Sequence, residues 1–157
     1  MSRDDKSRRP GIIAAILTLD ARRSLLDSVS PRYPVVYAHH LTLAFRPAEA
    51  TYEKYAAFLG KPCLIRVMEE VWDGQGQAVR VSIETAGAES NCPHITVSCV
   101  DSVAPKYSQK LLANAAASSR PLSLQLGAVI CFMTFREWDK RFSPQPSKTS
   151  PPSPPKT

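Results

Sequence analysis

An α+β fold is what this sequence predicts, on three observations. Apolar runs of strand length are interleaved with amphipathic stretches of helix length, in the order strand, helix, strand, helix, strands, strand, helix, strand. Two of the strand-like runs flank Asp73-Gly74-Gln75-Gly76, a turn sequence short enough to imply an antiparallel hairpin. Finally, Tyr37-Ala-His-His-Leu-Thr-Leu-Ala-Phe45 resembles Asn91-Cys-Pro-His-Ile-Thr-Val-Ser-Cys99, and each is followed by a helix-like stretch. The 157 residues have room for one domain, built as two halves.

Taken in order, residues 1–10 are polar and charged, end at Pro10, and read as a disordered lead-in. The continuous apolar run from Gly11 to Leu19 predicts a buried strand. Asp20 is placed to cap a short helix ending at Ser28, with Leu25, Leu26 and Val29 inward. Two prolines make residues 30–34 a loop. Val35 to Phe45 reads as one strand. Ala48 to Leu59 reads as a helix with Tyr52, Tyr55, Ala56 and Leu59 on one stripe and Gly60 as its stop. Cys63–Trp72 and Ala78–Thr85 form the hairpin, His94–Val100 a strand, Tyr107–Ala117 a helix, and Leu122–Phe135 a strand with Gly127 as a bulge. Residues 11–142 make up the domain. Residues 143–157, rich in Pro and Ser, read as a disordered polyproline-type tail.

The composition is ordinary for a globular chain, with 43% hydrophobic and 22% charged residues. The net charge of +6 sits mostly at the ends: residues 1–9 carry +2, the tail from Ser143 another +2, and the body keeps only +2. No dense Lys/Arg run marks a nucleic-acid groove. Gly11 to Leu19 is too short to span a membrane, and the start lacks a signal-peptide pattern, so the expectation is a cytoplasmic or nuclear protein without membrane partners. Cys63, Cys92, Cys99 and Cys131 form no C-x-x-C pair and are expected as small buried hydrophobes.

All three histidines lie in the two similar segments. Strand alternation puts His40, Thr42 and Ala44 on one face and His39, Leu41, Leu43 and Phe45 on the other. It does the same for His94, Thr96 and Ser98 against Ile95, Val97 and Cys99. Each strand therefore splits into an apolar face and a polar face headed by His then Thr, while His39 is directed to the core side. Such a pair suits phosphate chemistry: the hydroxyl donates to a non-bridging oxygen, and the imidazole titrates near neutrality. Two strands facing one cleft would supply a base for the attacking group and an acid for the leaving oxygen, with no metal or other cofactor required. A zinc site from Cys92, His94 and His40 is the competing reading, weakened by Pro93 and by the lack of close-spaced ligand pairs.

The residues His40-Leu-Thr-Leu43 and His94-Ile-Thr-Val97 resemble the paired H-x-[ST]-hydrophobic motifs of the two-histidine (2H) phosphoesterase superfamily, over roughly residues 11–135. Residues 35–45 also look similar to a group associated with RNA repair. This resemblance implies two α+β lobes, each an antiparallel sheet flanked by helices, with one H-x-T strand from each lobe facing a central cleft. It implies His40 and His94 as the catalytic acid–base pair and Thr42 and Thr96 as phosphate-binding groups. It further implies action on RNA 2′,3′-cyclic phosphate ends or related small nucleotides. The alternatives it leaves are ligation by the reverse reaction and nucleotide or RNA binding without turnover.

Three further substrate contacts are candidates. Arg46 continues beyond the His40 strand, Tyr107 opens a helix after the second motif where its ring would stack a base, and Tyr33 lies in the Pro-rich loop as a lid residue. The tail motif Pro-Pro-Ser-Pro-Pro offers a polyproline surface to a partner, against the simpler expectation of a solvated end.

Overall fold

In the computed structural model, described for residues 8–84, 87–88 and 92–142, seven antiparallel strands form a single sheet flanked by four helices. The strands are β1 (Gly11–Leu17), β2 (Val35–Val36), β3 (His40–Phe45), β4 (Pro62–Trp72), β5 (Gly76–Ile83), β6 (His94–Cys99) and β7 (Ser118–Thr134). The helices are α1 (Leu19–Ser28), α2 (Glu49–Ala56), α3 (Tyr107–Ala113) and α4 (Phe135–Phe142). Sheet order is β2-β6-β5-β4-β7-β1-β3, and the sheet is not closed into a barrel. The α+β class is therefore as expected, with its two halves as the two ends of one continuous sheet. The predicted lead-in and tail, and the end of the second hairpin strand at Thr85, fall wholly or largely outside the described residues.

Alternation decides what each face holds. One face carries Ile13, Ala15, Leu17, Leu41, Leu43, Ile65, Val67, Val79, Val81, Ile95, Val97, Leu126 and Ile130, and α1 and α2 pack on it through Leu25 and Tyr55. Among the described residues the opposite face is covered only in part. Helix α3 packs Leu111 against Val71 and Ala78, and α4 lays Trp138 and Phe142 over Ile12, Ala14, Ile16 and Met133.

Several local expectations are revised. Thr18, not Asp20, caps α1: its hydroxyl accepts from the Ala21 amide at 3.1 Å, since the chain is already helical at Leu19. Helices α2 and α3 end earlier than their amphipathic patterns suggest; Gly60, at φ 80°, supplies the left-handed turn after α2 that glycine alone tolerates cheaply. Gly127 stays in register opposite Leu64, and the bulge on β4 falls between Val67 and Glu69. The predicted last strand stops at Thr134, and Phe135 opens α4. A reciprocal cap starts this helix: the Thr134 amide donates to Glu137 Oε1 at 2.8 Å, and the Glu137 amide donates to Thr134 Oγ1 at 3.2 Å.

The loop before β2 is anchored by a buried carboxylate. Glu70 is 1% exposed and accepts from Arg32 Nε at 2.7 Å, Arg120 Nε at 2.6 Å and Gln77 Nε2 at 2.8 Å. Gln77 in turn accepts from the Arg32 amide and the Ser98 hydroxyl. Burial alone would raise the Glu70 pKa, but these donors outweigh it and hold the carboxyl below its ordinary range. The network ties residues 30–33 to β4, β5 and β6, and so fixes where the chain enters β2. Cys63 and Cys99 are buried as expected, whereas Cys92 and Cys131 are only half-buried.

Candidate active site

The single strand expected from Val35 to Phe45 is two strands, because the chain changes partners at Ala38. Val35 and Val36 pair with Cys99 and Ser98 of β6, and the Tyr37 and Ala38 amides continue onto the Val97 and Thr96 carbonyls at 2.8 Å each. Ala38 then adopts φ 55°, a left-handed conformation that costs a residue with a Cβ. Beyond it the chain crosses to the other end of the sheet: the His39 carbonyl accepts from the Leu17 amide at 3.0 Å, and β3 pairs with β1. One segment thus edges both ends of the sheet. The crossing leaves His40 close enough to His94 of β6 to feel it electrostatically.

Register also carries the two motifs to the same sheet face. His40 is opposite Ile16, Ile16 opposite Val129, and Val129 opposite Pro62; at the other end His94 is opposite Arg80, and Arg80 opposite Glu69. Directly opposed residues of an antiparallel pair share a face. Both histidines therefore stand on the face away from the α1–α2 core, one toward each end of the sheet order.

The His40 ring is held on three sides. Its Nε2 lies 3.1 Å from Thr42 Oγ1, which is the same-face neighbour that alternation predicts. Its Nδ1 lies 2.8 Å from His39 Nδ1, with the two rings stacked at 4.9 Å. Trp138 of α4 covers it edge-on at 4.5 Å, and Phe142 stacks on His39 at 4.1 Å. His39 is thus packed and hydrogen-bonded, but beside His40: the Ala38 kink removes it from the strand whose alternation would have sent it to the core. Burial, then His39 and His94, push the His40 pKa down to about 3; burial, then Arg22 and Arg141, push His39 down to about 4. Both rings are neutral at pH 7 in this arrangement.

His94 is held differently. Its Nδ1 donates to the Cys92 carbonyl at 3.0 Å, an acceptor-only partner that fixes the proton on Nδ1. Burial lowers its pKa, the Cys92 bond raises it, and Arg80 lowers it, with a net decrease. Thr96 is nearly buried; its hydroxyl lies 2.8 Å from Ser108 Oγ and 3.3 Å from the Pro105 carbonyl, so α3 shares the second motif's threonine. His40 and Thr96, one from each motif, line a common cavity of about 290 Å³ with Tyr37, His39, Trp138 and Phe142.

The three weaker candidates lie elsewhere. Arg46 is six positions beyond His40, about 20 Å along an extended strand, with its guanidinium 5.7 Å from the Phe135 ring. Tyr33 and Tyr107 converge on the hairpin turn: Tyr33 Oη donates to the Asp73 carbonyl, and Tyr107 Oη donates to Asp73 Oδ2 at 2.5 Å. Both phenols are thus engaged in holding that turn. Cys92 Sγ accepts from Arg80 Nη1 at 2.7 Å, and among the described residues no three His, Cys, Asp or Glu side chains group as metal ligands. The residues that sequence reasoning missed are His39, Arg80, Trp138 and Phe142. Only the α4 pair carried a local signal, the Thr134-Phe-Arg-Glu137 cap followed by aromatics at helical spacing.

No family model matches the chain, and no curated protein is similar to it in sequence. Among solved structures the chain is similar to a fungal RNA kinase, with a TM-score of 0.53 at 13% identity. The match covers 78% of this chain and 46% of that one, so the chain spans under half the length of the structure it resembles. The likeness is one of fold. Among the described residues no helix is long and apolar enough to cross a membrane.

Proposed function

We propose that this domain is a metal-independent phosphodiesterase of 2H type, acting on RNA 2′,3′-cyclic phosphate ends or related nucleotides. The observation that carries the reading is the placement of His40 and His94 on one sheet face, close enough that His94 acts electrostatically on His40. Each imidazole has its Nδ1 engaged, so proton transfer falls to Nε2, which on His40 would exchange the Thr42 hydroxyl for the substrate. One would take a proton from the attacking water while the other protonates the departing ribose oxygen. Thr42 and Thr96 would turn their hydroxyls from His40 and from Ser108 and Pro105 to the non-bridging oxygens, a task that needs no metal. The fold likeness to an RNA kinase supports RNA as the substrate class.

Trp138 and Phe142 cover the His40 side, so a substrate must displace or stack upon them. That roof favours a second reading, nucleotide binding without turnover. The test is incubation with short RNA ending in a 2′,3′-cyclic phosphate, with EDTA present. Ring opening that is lost in both His40→Ala and His94→Ala supports the enzyme. Wild-type inertness there, on cyclic nucleotides and on 2′-5′ linkages sinks it. Ligand binding that survives His94→Ala, with no product under any condition, establishes the binding module.

A further inference from the structure

We propose that His39 is a positioning residue that fixes the tautomer of His40, placing its proton on Nδ1 and leaving Nε2 bare to serve as the general base. The proposal rests on the phosphodiesterase reading for its catalytic meaning, but its structural content is independent of turnover. The Nδ1 atoms of His39 and His40 are 2.8 Å apart, a distance that requires one proton between them. One ring must be protonated on Nδ1 and the other bare there.

The surroundings choose between the two arrangements. When His40 holds the shared proton, its Nε2 is bare and can accept from the Thr42 hydroxyl 3.1 Å away. His39 then keeps its proton on Nε2, the tautomer a solvated histidine side chain prefers. The ring of His39 stays neutral because it is buried against Phe142 beside the cations Arg22 and Arg141, so its Nδ1 remains an acceptor.

His94 Nδ1 donates to a carbonyl instead; burial, against the raising effect of the Cys92 bond, leaves its pKa lowered, so when His40 is the base a phosphate must bring the second proton onto His94. The proton balance follows. An attacking water forms the new P–O bond and passes its proton to His40 Nε2. The bond to the leaving ribose oxygen breaks, and that oxygen takes the Nε2 proton of cationic His94. Solvent exchange then resets both rings. Phosphate charge in the cleft would raise both histidine pKa values from those of the empty site.

The test is tautomer assignment in the full chain labelled with ¹⁵N-histidine, from two-bond proton–nitrogen correlations at pH 7. His40 should be protonated on Nδ1 and His39 on Nε2. His39→Phe keeps a ring against Phe142 but removes the acceptor. It should move the His40 proton to Nε2, cut kcat/KM by roughly 10–100-fold as lost orienting partners of imidazoles do, and displace the limb of the pH–rate profile that belongs to the base. His39→Asn, whose amide oxygen reaches the Nδ1 position, should restore tautomer and rate in large part. Protonation of wild-type His40 on Nε2, or an unchanged pH profile in a folded His39→Phe, overturns the proposal. An inert wild type with His40 nonetheless protonated on Nδ1 would instead overturn the phosphodiesterase reading and leave the positioning role standing.

Discussion

Trp138 stands edge-on to His40, ring centroids 4.5 Å apart and planes at 86°. The contact joins the last helix to the first strand of the site, and it excludes water from the imidazole. Trp138→Ala should therefore raise the His40 pKa from about 3 toward the ordinary 6.5. A histidine NMR titration reads this directly. An unchanged His40 titration in the folded variant would show that other groups provide the burial.

Acid should weaken the fold before its carboxylates titrate. His39 and His40 have folded pKa values near 4 and 3 against 6.5 unfolded, so below pH 6.5 the unfolded chain binds the extra protons. The stability tied to their neutral forms is complete above pH 6.5 and is lost as pH falls toward those folded values. Each histidine contributes a slope of up to ~1.4 kcal/mol per pH unit across that window. Denaturant unfolding at pH 7.5, 6.0 and 5.0 should show the decline, and His39→Phe should flatten it.

Glu70→Gln should destabilise the domain by about 3 kcal/mol. The variant strands two guanidiniums, but the Arg32 and Arg120 side chains are 37% and 44% exposed and recover some hydration, which places the cost at the low end for a broken buried pair. Chemical denaturation measures it. Since the native Glu70 pKa is depressed, the difference from wild type should shrink as pH drops below the ordinary carboxylate value of 4.5.

Ala38 is buried at φ 55°, where a β-branched side chain is both strained and without space. Ala38→Val should cost ~3 kcal/mol in thermal or denaturant unfolding. Ala38→Gly should stay within ~1 kcal/mol of wild type, because relief of the left-handed strain offsets added freedom in the unfolded chain.

Alternation made much of the site legible in the sequence. It paired His40 with Thr42 correctly and separated Ile95 and Val97 from the His94 side, because those residues lie in regular strand where a period of two holds. It failed at His39 because Ala38 departs from extended backbone, and no glycine or proline announces that kink. The α+β class followed from element order alone. The roof over His40 did not, since Trp138 and Phe142 reach the site only through the turn at Thr134 and the packing of α4 on Ile12, Ala14 and Ile16. Tyr33 and Tyr107 attracted notice as aromatics near the motifs, but the acceptor that claims both, Asp73, sits in a hairpin distant in sequence.

The exchange of partners at Ala38 makes the geometry of the candidate site depend on chain length as well as residue type. Val36 is anchored on β6 and Leu41 on β1, so the few residues between them set the phase in which β3 begins. Removal of a single residue from that span would force a choice: break one of the two edges, or present the next side chain in the place of His40. A deletion that leaves every histidine and threonine intact would then erase the site, and length variation in this short connection should be far less tolerated than substitution within it.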